Sequence, residues 1–219
     1  MIFFWIPALV GVLAGKALGG RFANLGSVEI NRVWLLPLAV GAQLALAVAT
    51  PVLPEQGVDP LRYVLPLSTG AMCVWAMLNR ALPGMWLVLL GASCNLAVIC
   101  ANGGLMPTNA QALTEAGKTE SIRLAQEHPG IRLPNSKDAL LAPEETQLWW
   151  LSDVIVSPPL PQRKVMSVGD LIIAAGLTYL AGRATYAPLR RRGQRTISMQ
   201  RSAAQINWKQ RIPDLPQTI

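Results

Sequence analysis

Two aspartates late in this 219-residue chain are the residues whose type and position could do chemistry. Asp153 precedes an apolar triplet at residues 154–156, and Asp170 follows 17 positions later at the mouth of the last apolar run. Like charges a few ångströms apart cannot both ionise easily, so two close carboxylates would share one proton and could activate water against an amide bond. Asp153 and Asp170 are therefore candidate catalytic residues, and their distance in space is left open.

Asp170 has a structural explanation beside the chemical one. Ser167 stands three residues before it, and this Ser-x-x-Asp pattern is typical of a capping box at the start of a helix. A carboxylate there also interacts favourably with the positive end of the helix dipole. Asp153 has no such pattern, and its apolar setting should raise its pKa unless the carboxyl group is hydrogen-bonded.

Asn95, Asn102 and Ser167 are candidate binding residues near these carboxylates. An amide in hydrocarbon must find a partner, so Asn95 should face the interior of a helical bundle. Asn102 opens the stretch Asn-Gly-Gly-Leu-Met-Pro, where the glycines permit positive φ and the proline stops a helix. Asn102 therefore either caps that helix end or, with Asn95, points its amide at the aspartates.

Other kinds of site find little support in the sequence. Cys73, Cys94 and Cys100 lie within apolar runs and form no C-x-x-C pair, as is typical of small core residues. His128 is the one histidine and has no neighbouring Cys or His, so we expect no metal site. The chain contains no phosphate loop or dinucleotide fingerprint, and we expect no cofactor.

The distribution of apolar residues places the chain in a membrane. Hydrophobic residues make up 52% of it and charged residues 14%, and the charges are gathered in a few stretches. Several uncharged runs approach the roughly 20 residues needed to cross a bilayer about 30 Å thick. They cover about residues 2–18, 33–53, 63–78, 85–101 and 168–186.

These runs predict an all-α fold, a polytopic transmembrane bundle of about five spans. Residues 1–101 hold helices one to four, and residues 167–187 hold the fifth. Residues 102–166 contain most of the acidic side chains and are too long for a connector, so we expect them to form a cap outside the cytoplasm. Residues 188–219 are basic and polar, and we expect a disordered cytoplasmic tail.

Two short helices are expected within the cap. Thr108 should cap the first one, which runs through Glu115 and ends at Gly117. The second should cover about residues 119–127.

The lysines and arginines predict the orientation. The first link, the short third link and the tail are basic, whereas the second link has no basic excess. The positive-inside rule puts the basic segments in the cytoplasm, which gives an N-out, C-in protein. This bias explains the net charge of +7, so we expect the lipid bilayer as partner and no nucleic acid. Anionic lipid head groups are a further expected partner of the tail arginines.

Several of these stretches together resemble an uncharacterised family of bacterial multi-spanning membrane proteins, a domain of unknown function. The resemblance rests on residues 95–96, 102–107, 151–155 and 167–176, and it extends to about Tyr186. It implies a multi-pass protein of the bacterial inner membrane and implies no activity.

A partial resemblance to lipoprotein signal peptidases concerns the two aspartates. Residues 151–155 and 166–170 are similar to the stretches that hold the two catalytic aspartates of that family, and Asn95-Leu96 is similar to its Gly-Asn-Leu motif. The sequence departs from the family at Ser167 and Cys94, where asparagine and glycine are usual. The Asp-Arg pair that normally follows Asn-Leu-Ile is also missing.

Two classes of function follow. The first is a non-catalytic binding or scaffold protein of the inner membrane, in which the aspartates tie the cap to the bundle. The alternative is an intramembrane aspartyl hydrolase or peptidase that uses Asp153 and Asp170 near the outer leaflet on a membrane peptide or lipid. Carboxylates within about one water of each other along an open groove favour the hydrolase, and separately paired carboxylates favour the scaffold. Whether the protein is an enzyme is not decided by the sequence.

Overall fold

The computed structural model describes residues 2–49, 59–127, 132–159 and 163–189. Within these ranges the chain is mostly helical, as the apolar runs predict. The long helices coincide with the apolar runs, and they are α1 (Ile2–Ala17), α2 (Leu35–Ala49), α3 (Leu61–Leu78), α4 (Met85–Ala101) and α7 (Val168–Tyr186). The predicted basic tail beyond residue 189 and His128 lie outside the described residues.

Within the described part of the chain, one helix is long and apolar enough to cross a membrane, judged by length and composition. This helix is α3, with 18 residues. Shorter apolar helices cover Trp5–Ala17, Leu35–Ala45 and Met85–Ala101.

The long helices pack side by side in the order α1, α7, α4, α3, α2. Helix α7 contacts α1 on one side and α4 on the other, and α3 lies between α4 and α2. Among the described residues, α1 and α2 at the two ends of this row share no comparable contact. The row is therefore not closed into a ring.

Glycines bring α4 and α7 into backbone contact. Gly91 of α4 lies against Gly169 of α7, and Gly84 lies against Gly176, so both helices use a seven-residue spacing and run antiparallel. A Cβ atom at Gly91 would also come within 2.8 Å of the side chain of Ile173. Small residues at these positions allow a close approach that a larger side chain would prevent.

Helix α1 packs against α7 in the same way but in parallel. Gly11 of α1 lies against the carbonyl of Thr178, and Gly15 lies against that of Gly182. The Gly-x-x-x-Gly spacing puts both glycines on one face of α1. Helices α1 and α7 therefore begin on the same side of the bundle, and α4 ends on that side.

The predicted cap contains short strands as well as helices. Its elements are β1 (Met106–Thr108), α5 (Ala110–Glu115), α6 (Thr119–Glu127), β2 (Asp138–Leu140), β3 (Ile155–Val156) and β4 (Val165–Met166). Strand β1 pairs in parallel with β2, and β3 pairs antiparallel with β4. Asp153 forms a further parallel bridge to Thr108 on the other side of β1. Strands of two or three residues carry too little alternation to be predicted from sequence.

The cap residue of α5 was predicted wrongly. Asn109 caps the helix, because its Oδ1 accepts a hydrogen bond from the backbone N–H of Ala112 at 2.7 Å. Thr108 lies in β1, and its hydroxyl donates to the backbone carbonyl of Asp153 at 2.7 Å. Gly117 follows α5 with a φ of 76°, and α6 has the predicted bounds.

A buried ion pair fastens the cap to the helices. The side chain of Arg132 is fully buried and donates from Nε to Oδ2 of Asp59, just before α3, at 2.6 Å. It also donates to the carbonyls of Ala47 in α2 at 3.3 Å and Ser136 in the cap at 2.9 Å. A buried guanidinium needs such partners, so this one residue joins two helices to the cap.

The glycine contacts predict different effects of two alanine substitutions. Gly91→Ala should lower the melting temperature in detergent by several degrees, because its methyl group meets the backbone of Gly169. Gly70→Ala is the matched control, since nothing lies within 4 Å of a Cβ atom there. It should leave the melting temperature unchanged or raise it, because alanine favours a helix over glycine by about 1 kcal/mol. Equal melting temperatures for the two variants would contradict the packing argument.

Candidate functional site

Short strands bring a lysine and two aspartates together between the cap and the helices. The backbone N–H of Asp153 donates to the carbonyl of Pro107 at 2.9 Å, and the N–H of Met106 donates to the carbonyl of Lys137 at 3.2 Å. Strand β1 therefore holds both residues. The ammonium group of Lys137 lies 2.8 Å from Oδ2 of Asp153 and 3.2 Å from Oδ1 of Asp138. We name these three residues the Lys137 cluster.

The two carboxyl groups of the Lys137 cluster are both buried but differ in their surroundings. The hydroxyl of Ser136 donates a hydrogen bond of 2.6 Å to Asp138, which already accepts one from Lys137. Asp153 is 2% exposed at its side chain, and no described group bonds to its Oδ1. One ammonium group cannot fully neutralise two carboxylates, so the less well bonded Asp153 is the one that favours a proton.

The pKa directions follow from these surroundings. Burial raises the pKa of Asp153 well above its usual value, and the charges of Asp138 and Asp170 add to this despite the opposing effect of Lys137. Burial alone would also raise the pKa of Asp138, but Lys137 and Ser136 outweigh it and lower that pKa. Burial alone would lower the pKa of Lys137, yet the three carboxylates raise it.

Asp170 belongs to a separate network at the start of α7. The predicted capping box is confirmed, because Ser167 Oγ accepts from the N–H of Asp170 at 3.0 Å and Asp170 Oδ2 accepts from the N–H of Ser167 at 3.3 Å. Asn95 of α4 donates from Nδ2 to Asp170 Oδ1 at 2.8 Å. It accepts a hydrogen bond of 2.8 Å from Ser167 Oγ. As predicted, Asn95 faces the interior and meets an aspartate.

The two candidate catalytic aspartates have different partners. No hydrogen bond between described residues joins Asp153 to Asp170, since one is held by Lys137 and the other by Asn95 and Ser167. Lys137 links them through charge, because both carboxylates contribute to its raised pKa. The arrangement is one lysine near three carboxylates rather than two carboxylates hydrogen-bonded to each other.

Asn102 lies apart from these networks. Its Nδ2 donates to the carbonyl of Val98 at 2.7 Å and to that of Gln147 at 2.8 Å, and its Oδ1 accepts from the N–H of Gln147 at 2.9 Å. The side chain of Asn102 therefore caps the C-terminal end of α4, which was one of the two predicted alternatives. It also bonds this helix end to Gln147 in the loop region 102–166. Its amide does not reach the aspartates.

A cavity of about 480 Å³ lies beneath the cap within the row of helices. Asn95, Lys137, Lys164 and Asp170 are charged or polar groups in its wall. Most of the remaining wall is apolar and comes from all five long helices and the β3–β4 hairpin. Asp153 is not among its lining residues, because it lies behind Lys137.

Within the described residues, no group of three or more His, Cys, Asp or Glu side chains could hold a metal ion. Cys73, Cys94 and Cys100 are free thiols. The polar side chains that line the cavity supply ammonium, carboxylate, amide and hydroxyl groups.

Lys137 and Lys164 are the residues of this site that sequence reasoning missed. Lys137 is followed directly by an aspartate, which reads as an ordinary solvated pair in a polar loop. Lys137 meets Asp153 only because the segments that hold these two residues both pair with β1. A three-residue strand leaves no recognisable signal in the sequence.

Removing the lysine should leave two buried carboxylates without their cation. Lys137→Met should lower the free energy of unfolding by about 2–3 kcal/mol, less than the roughly 3–5 kcal/mol for a fully buried pair, because 37% of the lysine side chain is exposed. Adding Asp153→Asn should recover part of the loss, since the amide keeps the shape and removes one charge.

Chemical denaturation in detergent measures both variants. Arg123→Met on the exposed face of α6 is the control and should change stability little, because its ion pairs are solvated. A single variant as stable as the unmodified protein, or a double variant no better than the single one, would refute the role of Lys137.

Comparison with known proteins finds no match among curated proteins and none among solved structures. Residues 27–181 match a protein family described as "Family of unknown function (DUF5317)". This agrees with the resemblance to an uncharacterised family noted in the sequence. Because the match covers more than half of the 219 residues, the chain belongs to this family of unknown function.

Proposed function

We propose that the protein is a multi-pass protein of the bacterial inner membrane, with its five long helices embedded, its N-terminus outside and its C-terminus inside. The exposed apolar surface supports this membrane assignment. Each of the five long helices carries at least one large hydrophobic side chain that is more than half exposed. Examples are Leu9, Leu38, Leu67, Trp86 and Tyr179. Apolar surface of this extent is unusual on a soluble monomer and is expected where helices face lipid.

Contacts at one end of the bundle support the orientation. The N–H of Arg21 in the first link donates to the carbonyl of Thr185 near the end of α7 at 2.9 Å. In the same link, the N–H of Asn31 donates to the side chain of Asn79 in the third link at 2.7 Å. The basic first and third links and the start of the basic tail thus share one end, as the positive-inside rule requires of cytoplasmic segments.

We further propose that the cavity binds an amphipathic molecule from the membrane. The observation that carries this is a cavity of about 480 Å³ with mainly apolar walls and charged groups beneath the cap. Its volume lies within the range of roughly 300–1,000 Å³ that is usual for small-molecule sites. An apolar chain fits the walls, and a polar head group fits Lys137, Lys164 and Asp170.

The geometry supports this binding role better than hydrolysis. A catalytic pair of aspartates needs both carboxyl groups at the substrate, whereas Asp153 lies behind Lys137 and outside the cavity wall. Asp170 is held by its capping box and by Asn95. Separately paired carboxylates are the arrangement expected of a binding or scaffold protein.

Reporter fusions test the orientation. A reporter active only in the cytoplasm should be active when fused after Ile219 and silent when fused ahead of Met1, because the basic segments stay inside. The reverse pattern would put the cap in the cytoplasm and overturn the proposed topology.

Filling the cavity tests the binding role. Ala174→Phe places a ring in the cavity wall, whereas Ala175→Phe places it on the exposed side of α7. Native mass spectrometry of the purified protein should detect a copurified amphiphile in the unmodified chain and in Ala175→Phe. Its occupancy should be at least fivefold lower in Ala174→Phe. Equal occupancy in the two variants, or no amphiphile in the unmodified chain, would count against the cavity as a binding site.

A further inference from the structure

We propose that the occupant of the cavity is a phospholipid with a primary amine in its head group, which enters sideways from the outer leaflet between α1 and α2. This inference rests on the proposed function and adds the class of ligand and its route.

The route follows from the unclosed row of helices. Ile6 and Pro7 of α1 line one wall of the cavity, and Val40 and Gln43 of α2 line another. Glycine contacts seal α7 against both α1 and α4, but among the described residues no comparable contact joins α1 to α2. In a membrane, this gap faces lipid. A lipid can therefore bring its head group in sideways while its acyl chains project back into the bilayer.

Two lysines supply the site for the phosphate. Lys137 has three N–H donors, of which two are used by Asp138 and Asp153, and 37% of its side chain is exposed. The ammonium of Lys164 forms no ion pair with a described residue. Both side chains line the same cavity. Lysine binds phosphate as a compact positive charge with several donors.

The backbone around Lys164 is fixed by the β3–β4 hairpin. Its N–H donates to Oγ of Ser157 at 2.9 Å, and its carbonyl accepts from the N–H of Ser157 at 2.8 Å. Pro158 of the same hairpin also lines the cavity. The backbone of the second lysine is therefore held by hydrogen bonds to Ser157 next to the cavity.

Asp170 supplies the site for the amine. Its carboxylate lines the cavity, and each oxygen has accepted one hydrogen bond, from Asn95 or from Ser167. A carboxylate oxygen has two lone-pair sites, so each keeps room for another donor. A purely anionic head group would be repelled by Asp170, whereas an ammonium group beside the phosphate would be attracted. The two ammonium groups that line the cavity can thus contact the phosphate, and the carboxylate of Asp170 can contact the amine.

Proton uptake by Asp153 can offset the negative charge that an arriving phosphate brings to the Lys137 cluster. An anion near Lys137 weakens the hold of its ammonium on Asp153. Asp153 can then take up a proton from water, since burial already raises its pKa. Two charged groups outside the cluster also act on it, the carboxylate of Asp170 and the ammonium of Lys118.

The head-group experiment uses the full chain, purified in detergent and freed of lipid. Phosphatidylethanolamine, phosphatidylglycerol and the chain-free glycerophosphoethanolamine are offered in turn at equal concentration, and binding is followed by native mass spectrometry. We expect phosphatidylethanolamine to bind at least fivefold more tightly than phosphatidylglycerol, and the chain-free compound to bind hardly at all.

Variants separate the two charged contacts. Lys164→Gln should weaken both lipids, whereas Asp170→Asn should bring the ratio of the two affinities close to one, because asparagine keeps the helix cap and removes the charge. Arg123→Gln is the control, since Arg123 is exposed on α6 and does not line the cavity. Equal affinity for the two lipids in the unmodified protein would overturn the amine assignment and leave the proposed amphiphile site standing. Binding of no lipid at all would overturn both.

A reversible cross-link tests the route. Ile6→Cys and Val40→Cys are combined in a chain whose three native cysteines are replaced by serine, and they are joined by a dimaleimide with a cleavable disulfide. Exchange of bound phosphatidylethanolamine with vesicles should slow at least fivefold and recover after reduction. Each single-cysteine variant treated with the same reagent should exchange normally. Unchanged exchange in the linked protein would overturn lateral access.

Discussion

A shortage of positive charge governs the junction between the cap and the helices. Lys137 faces Asp138 and Asp153, two buried carboxylates that cannot both be neutralised by one ammonium group. Removing charges from water costs several kcal/mol per ion unless they are paired and hydrogen-bonded. The two cap segments that carry Lys137 and Asp153 are therefore held together on β1. The buried Arg132–Asp59 pair adds a second contact of the same kind where the cap meets α2 and α3.

Backbone contact between α4 and α7 determines the position of the cavity wall that carries Asn95 and Asp170. The glycines bring the two helices close enough for Asn95 to reach both Asp170 and Ser167. A larger residue at Gly91 or Gly169 would push α7 away and break these hydrogen bonds at the same time. Small residues in the helices and charge pairing in the cap thus converge on one place, the polar part of the cavity.

The helical part of this structure could be predicted from sequence because its signals are local. Hydrophobic runs located the long helices, Ser167-x-x-Asp170 located the capping box, and the rule that buried amides need partners put Asn95 inside. The pairings in the cap could not be predicted in this way. Arg132 and Asp59 are 73 positions apart and meet only when the chain folds. Asn109 caps α5 in place of the predicted Thr108, because Thr108 lies in β1 and bonds to Asp153 there.

The charges near the cavity are easier to understand when the Lys137 cluster is treated as one unit. When Asp153 takes up a proton, Lys137 and Asp138 balance each other, and the unit is neutral. The charges then left in the wall are the ammonium of Lys164 and the carboxylate of Asp170. These two are opposite in sign, so a ligand with only negative charge would gain one attraction and suffer one repulsion. A head group with both signs gains both attractions, and this is why the charge pattern favours a zwitterionic lipid over an anionic one.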